Sequence, residues 1–371
     1  MPKVLITTVP FGDINARPLA LLEELGVQYL INPLNKKLTE NELAEMVSDF
    51  DIIIAGTEPI TSKVMDAAPN LKLISRVGVG LDSVDLVAAR EREILVSYTP
   101  DAPAPAVAEL TLALMLNQLR LIHVSNSELH SGRWNRFFGR RLEEVTIGII
   151  GLGRIGKRVL GHIKGFGDPR ILVNDIVQNL DLGDASNVEW VSKEEIYQNA
   201  DLISLHLPLT NITKNMIRKE HLLSMKKNAI IINTSRGGII NEIDLSNVLK
   251  AGHLSGAAVD VFEREPYFGP LTENPKCLLT AHMGSMSIDC RTKMEIEATE
   301  EAAHTSCRCS ARCPAFCSYV SVTGALKRSC SSYKNQRTLL DKSENTPVGG
   351  QTKIPDGIGW LEEDGQFGHR M

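Results

Sequence analysis

The sequence has no excess of basic residues: 40 Lys and Arg stand against 45 Asp and Glu, a formal net charge of −5. Nucleic acids and anionic membrane surfaces are bound through clustered positive charge, so neither is expected as a partner. The chain also lacks any run of about 18 apolar residues, the length a membrane-spanning helix needs, and no membrane span is expected. Its start, Met1-Pro2-Lys3-Val4-Leu5-Ile6-Thr7-Thr8, is too short an apolar stretch for a secretory leader and has no small-residue cleavage site. It reads instead as a first strand, and the expected location is the cytoplasm. Cysteine is nearly missing from most of the chain. Of seven, only Cys277 and Cys290 precede residue 307, which is the usage of scattered intracellular thiols. There is no short-period repeat and no coiled-coil pattern.

What the sequence does have is length and ordinary globular composition. Its 371 residues make two domains the prior expectation, and 43% hydrophobic with 23% charged residues suits packed cores. Residues 1–98 alternate apolar runs (3–8, 27–31, 51–56, 71–77, 94–98) with helical stretches (17–25, 39–48, 61–67, 84–92). The runs are continuously apolar rather than alternating, the pattern of a parallel sheet covered on both faces. Strand-helix alternation implies right-handed βαβ units. Residues 103–130 read as one long helix, with Pro103 and Pro105 near its start, where a missing N–H costs little. Residues 131–141, rich in Arg, Trp and Phe, read as an arm or loop. A second alternating series begins at Val145, with strands at 145–150, 171–175, 202–207, 229–234, 256–261 and 278–281. The expected fold class is therefore α/β, with two doubly wound parallel-sheet domains. From 304 the composition turns to Cys, Ser, Gly, Lys and Arg without period, and residues 304–371 read as a disordered tail.

Gly151-Leu152-Gly153-Arg154-Ile155-Gly156 matches G-x-G-x-x-G, follows the apolar run 145–150 and opens a helical stretch. Gly151 permits the tight turn, Gly153 lets a pyrophosphate approach the backbone, and Gly156 lets helix and strand pack closely. The phosphates are expected at the helix N-terminus, where free N–H groups and the dipole favour negative charge. The next strand ends in Asp175, 19 residues beyond Gly156, where a carboxylate accepts bonds from the adenosine ribose. That carboxylate would repel a 2′-phosphate, and Ile176 and Val177 offer no Arg to bind one. The expected cofactor is NAD rather than NADP.

Four further landmarks follow in order: Ser204-Leu205-His206-Leu207-Pro208-Leu209-Thr210, Asn233-Thr234-Ser235-Arg236-Gly237-Gly238, Asp260-Val261-Phe262-Glu263-Arg264-Glu265-Pro266, and Thr280-Ala281-His282-Met283-Gly284-Ser285. With Arg76-Val77-Gly78-Val79-Gly80-Leu81-Asp82, this ordered set resembles the D-isomer-specific 2-hydroxyacid dehydrogenases, and within them the 3-phosphoglycerate dehydrogenase branch, over residues 1 to about 303. The resemblance implies a Rossmann NAD-binding domain, 99–286, inserted in a flavodoxin-like substrate domain, 1–98 plus 287–303. It implies Arg236, Glu265 and His282 as the catalytic set. It implies substrate carboxylate binding by the backbone of Gly78, Val79 and Gly80 together with Arg236. For the cofactor it implies Gly151, Gly153, Arg154, Ile155, Gly156, Asp175, His206, Pro208, Thr234, Ser235, Asp260, His282 and Gly284. The implied activity is hydride transfer between nicotinamide and a small D-2-hydroxy or 2-oxo acid, such as 3-phosphoglycerate. The residue types suit it: an imidazole can exchange a proton with the substrate oxygen, a carboxylate can orient that imidazole, and a guanidinium can hold a carboxylate.

A rival reading is an NAD-sensing corepressor of the same fold with little turnover, since such proteins can keep the same three residues. A formate dehydrogenase is a poorer match, because by the same resemblance an amide would stand in place of Glu265. A homodimer is expected, joined through the long helix and the arm bearing Trp134, Phe137 and Phe138. Glu93 stands where the family has a helix-closing Gly, and a left-handed backbone there would cost a non-glycine residue about 1 kcal/mol. Cys307, Cys309, Cys313 and Cys317 do not have the paired-knuckle spacing of a zinc site, and no metal is expected.

Overall fold

The computed structural model describes residues 2–178 and 187–309, with two short strands at Tyr319–Val320 and Leu326–Lys327 that pair antiparallel; side chains are described to residue 306. The first 98 residues build a five-stranded parallel sheet from β1 (Lys3–Ile6), β2 (Gln28–Ile31), β3 (Ile52–Ala55), β4 (Leu73–Arg76) and β5 (Leu95–Tyr98), in the order β2-β1-β3-β4-β5. Residues 147–279 build a seven-stranded parallel sheet from β6 (Ile147–Ile150), β7 (Ile171–Asn174), β8 (Val188–Trp190), β9 (Leu202–Leu205), β10 (Ile230–Asn233), β11 (Gly256–Val259) and β12 (Cys277–Leu279), in the order β12-β11-β10-β9-β6-β7-β8. These are the flavodoxin-like and Rossmann strand orders, the second inserted in the sequence of the first domain.

The inner strands are buried on both faces, which is why they read as unbroken apolar runs. Ile52, Ile53 and Ile54 of β3 are fully buried, as are Ile231 and Ile232 of β10. Each such side chain contributes roughly 1.5–3 kcal/mol over its exposed state. Chain order reverses between β1 and β3 in one sheet, and between β6 and β9 in the other. Open α/β sheets bind ligands at the carboxyl ends of strands where the order reverses. Thr8, Gly56 and Arg76 lie at or just beyond such ends in the first sheet, and Gly151 and His206 in the second.

The helix Ile288–Cys309 returns to the first sheet. Its Cys290, Met294, Ala298 and Ala302 pack with Val4, Ile6, Leu22, Ile52, Ile54 and Leu73. Ser75 Oγ donates to the Ala298 carbonyl at 2.8 Å. The helix runs past residue 303, where the composition changes, and Thr305 and Ser306 are buried. Of the tail 304–371 expected to be disordered, residues 304–309 are helical and 319–320 pair with 326–327 as strands; the rest, with the side chains of the cysteine cluster, lies outside the described residues. Among the described residues, no group of three or more His, Cys, Asp or Glu is arranged to hold a metal ion.

Two expectations are corrected. The long helix of residues 103–130 is two helices, Ala104–Arg120 and Ile122–His130, bent by 64°. Leu121 makes the break with φ +53°, a conformation that few residues other than Gly adopt, so the sequence gives no warning of it. The edge strand β8 was not anticipated, because three half-buried residues show no apolar run. No single helix among the described residues is long and apolar enough to cross a membrane.

Candidate active site

A cavity of about 660 Å³ is lined by residues of both sheets. From the first come Gly78, Val79, Gly80 and Arg76; from the second come Ile155, Thr234, Ser235, Arg236, Asp260, Glu265, His282 and Gly284. Among the residues expected at the site, Gly151, Gly153, Arg154, Gly156, Asp175, His206 and Pro208 do not line this cavity. They belong to the glycine-rich turn and the strand ends beside it.

His282 and Glu265 face each other across a short gap: His282 Nδ1 lies 2.9 Å and 3.0 Å from the two carboxylate oxygens. Burial alone would raise the Glu265 carboxyl. The bond to His282, the imidazolium charge and the Phe262 amide (3.1 Å) outweigh it, and the group sits below its ordinary value. An ionised carboxylate only accepts hydrogen bonds, so Nδ1 carries the donated proton and Nε2 remains for exchange. His282 holds φ +52°, and its amide donates to the Asp260 carbonyl at 2.8 Å. The fully buried Asp260 carboxylate accepts from Thr280 Oγ1 (2.6 Å), the Met283 amide (2.7 Å) and the Gly284 amide (2.9 Å). This clasp shapes the backbone on both sides of His282.

Arg236 follows β10 and reaches across to the first domain, where its Nε donates to Asp82 Oδ2 at 2.6 Å. Nη1 donates to the Ser235 carbonyl at 2.6 Å, and Nη2 has no partner among the described residues. A Cβ on Gly80 would overlap Nη2 and displace the end of the Arg236 side chain. The Gly78 amide is engaged by Thr99 Oγ1 at 2.9 Å, whereas those of Val79 and Gly80 have no partner among the described residues. Ser235 Oγ donates to Asn233 Oδ1 (2.8 Å), and the Thr234 hydroxyl lies 2.7 Å from that of Thr111.

Arg76 ends β4 and is 7% exposed. Its Nη1 donates to the Val77 carbonyl at 2.5 Å, its Nε is buried without a partner, and no carboxylate pairs with it among the described residues. Burial, helped by the charges of Arg236 and Arg291 and opposed by those of Glu58 and Asp82, brings its guanidinium down to about 10, so it stays charged at neutral pH. Lys37 and Arg291 line the same cavity. Arg76 lines the cavity, whereas Arg133, Arg140 and Arg141 pair with carboxylates elsewhere on the surface. Asp82, Thr99 and Arg291 were missed as site residues, because each gains its place only from contacts far along the chain.

The glycine-rich turn fits a dinucleotide. A Cβ on Gly151 (φ +98°) would overlap the His206 carbonyl, and one on Gly156 would overlap the Gly151 carbonyl. Gly153 faces open space at the start of the helix Arg154–Ile163. Asp175 accepts from the Leu152 amide at 2.6 Å and the Val177 amide at 2.9 Å, which ties the end of β7 to that turn. Arg154 is paired with Asp101 at 2.6 Å, and the Pro208 carbonyl accepts from Thr213 Oγ1 at 2.6 Å. His206 Nε2 lies 2.9 Å from Ser204 Oγ, while its Nδ1 is buried without a partner. Burial pushes this imidazole down to about 4, so it is neutral at physiological pH.

Comparison with known proteins agrees with this geometry. The family pattern described as D-isomer specific 2-hydroxyacid dehydrogenase, NAD binding domain, matches residues 112–284. A D-3-phosphoglycerate dehydrogenase of Methanocaldococcus jannaschii is 39% identical over 291 residues, which are 77% of this chain and 54% of that protein. This chain thus spans about half the length of that relative. A glyoxylate reductase of Thermofilum pendens is 36% identical over 303 residues, 79% of this chain and 88% of that protein. The crystal structure of NAD⁺-bound 3-phosphoglycerate dehydrogenase of Entamoeba histolytica superposes with a TM-score of 0.69 at 26% identity, covering 82% of this chain and 95% of that one.

Proposed function

The chain belongs to the D-isomer specific 2-hydroxyacid dehydrogenases, a family of NAD-dependent enzymes, and on that premise we propose that it interconverts a phosphorylated 2-hydroxy acid, 3-phosphoglycerate, with its 2-oxo acid. The observation that carries the reaction class is the 2.9 Å contact of His282 with Glu265 in the cavity that Arg236 also lines.

Bound NAD supplies the hydride acceptor or donor. The glycine-rich turn with Arg154, Ile155 and the helix N-terminus holds its pyrophosphate, and Asp175 its adenosine ribose. His206, Pro208, Thr234, Ser235, Asp260 and Gly284 line the remainder of its site. Arg236 Nη2 and the amides of Val79 and Gly80 bind the substrate carboxylate, and the guanidinium polarises the reacting carbonyl. In reduction, His282 Nε2 gives its proton to the oxygen that gains charge; in oxidation it takes the hydroxyl proton. Glu265 keeps Nδ1 protonated and fixes the orientation of the ring.

A phosphate on the substrate is supported by Arg76. A buried guanidinium without a direct ion-pair partner is costly even with Glu58 and Asp82 nearby, and a second anionic group of the substrate would relieve it. Lys37 and Arg291 add positive charge to the same cavity. We assign residues 1–98 with 287–303 to the substrate domain and 99–286 to the NAD domain. A homodimer is supported by the arm, where Trp134 is 77% and Phe138 fully exposed, because exposed aromatics mark association surfaces.

The test is NADH oxidation by wild-type, His282→Ala and Arg76→Met proteins with 3-phosphohydroxypyruvate, hydroxypyruvate and glyoxylate. His282→Ala should abolish turnover and keep NADH binding. Arg76→Met should raise KM at least tenfold for the phosphorylated acid alone. Equal effects of Arg76→Met on all three acids would remove the phosphate assignment. A wild-type protein that binds NADH without turning over any acid would favour a binding role.

A further inference from the structure

The turn that carries Glu265 is braced from a residue outside the cavity. Glu242 is the first residue of the helix Glu242–Lys250, which Asn241 caps through a bond to the Asp244 amide (3.0 Å). Its Oε1 accepts from the Glu263 amide at 2.8 Å. Residue 263 lies two positions before Glu265, so this carboxylate holds the start of the turn.

The rest of the turn is tied into the same brace. The Tyr267 ring stacks on Phe262 with centroids 4.1 Å apart and planes 17° from parallel. Tyr267 Oη accepts from the Leu271 amide at 3.2 Å. The Phe262 amide donates to Glu265 Oε1. Glu242 is therefore connected to the His282 partner along the backbone from Glu263, and the stacked rings hold the rest of the turn. Gly237 adds a third constraint: a Cβ there would overlap the Phe262 carbonyl, which keeps the Arg236 loop against this turn. Burial raises the Glu242 carboxyl above its ordinary value, and the charges of Glu263 and Glu265 add to it. A carboxylate held at such a cost beside two others implies that its bonds matter where it stands.

We propose that Glu242 is a positioning residue for the reaction: by gripping the Glu263 amide it sets the orientation in which Glu265 meets His282. This rests on the dehydrogenase reading of the site. The proposal separates grip from charge. Gln can still accept from the Glu263 amide, whereas Ala cannot.

The test compares wild-type, Glu242→Gln and Glu242→Ala proteins. Steady-state kinetics with the acid found to turn over, NADH binding by fluorescence, and thermal unfolding are measured on each. A small misalignment of a catalytic group costs roughly tenfold to hundredfold in rate. The expected result is a kcat loss of that order in Glu242→Ala, with KM and NADH affinity within about threefold of wild type, and recovery in Glu242→Gln. The second readout needs no turnover. The low-field resonance of the His282 Nδ1 proton reports its bond to Glu265, and it should move in Glu242→Ala and stay in place in Glu242→Gln. If the wild type proves inactive, this resonance alone decides the matter, so failure of the dehydrogenase reading and failure of the brace are told apart. An unmoved resonance in Glu242→Ala overturns the proposal, as does an unchanged kcat in an active enzyme. Equal losses in both variants overturn it too, since they would trace the effect to charge.

Discussion

Replacing His206 with Gln should make the protein less sensitive to acid. His206 ends the β9 segment, and Gln retains a group at the position of Nε2 for Ser204 while removing the titration. In the folded protein burial holds the imidazole near 4, against an ordinary value of 6.5. The unfolded chain therefore binds a proton that the folded one refuses, and the folded state loses stability as pH falls from about 6.5 toward 4. Between pH 7 and pH 4.5 this linkage amounts to roughly 2 kcal/mol. Urea unfolding of wild-type and His206→Gln protein at both pH values isolates it, because the carboxylates shared by the two proteins cancel in the difference. The wild type should lose about 2 kcal/mol more than the variant over that interval. Identical losses would show that the imidazole protonates freely in the folded state and would refute the argument from burial.

Glu93 closes the helix Leu86–Glu91 with φ +56°. Glu93→Gly should relieve about 1–2 kcal/mol of left-handed strain and lose about 0.4–1 kcal/mol to unfolded-state entropy, a net gain of roughly 0.5–1 kcal/mol in thermal or urea unfolding. Gly80→Ala should push the Arg236 guanidinium out of place and lower kcat/KM at least tenfold while NADH binding stays intact, as fluorescence titration would register. Glu265 should add an acid limb of its own. Its depressed carboxyl contributes stability above the ordinary carboxylate range and loses it as pH falls through the folded value, so Glu265→Gln should flatten the stability profile on that side.

Most of the fold was legible because its signals are local. Four-residue strands buried on both faces must be apolar throughout, and Ile52-Ile53-Ile54 or Ile230-Ile231-Ile232 announce themselves. The glycine-rich turn was legible for the same reason: close backbone approach removes every side chain but hydrogen. The bend at Leu121 was not, since a leucine in the left-handed region leaves no composition signal. The pairing of Arg236 with Asp82 was also hidden. The partners stand 154 residues apart and in different domains, and neither has a local pattern that demands the other. Arg291 was hidden because it lies in the first turn of a helix whose register on the first sheet is set by Cys290, Met294 and Ala298.

The returning helix has a consequence for biosynthesis. Ser75 and its acceptor Ala298 are 223 residues apart, and the sheet face formed by Val4, Ile6, Ile54 and Leu73, which Phe11 and Leu22 cover in part, is not fully covered until Met294, Ala298 and Ala302 have been made. At about 5–20 residues per second, a ribosome takes roughly 10–45 seconds to cross that interval. During that time the nascent first sheet displays part of an apolar face to solvent while the seven-stranded domain is made and completed. The order of completion is thus the reverse of the order of synthesis. The first sheet to be made is the last to be finished, and its uncovered face is where a chaperone would bind or a stalled chain would aggregate.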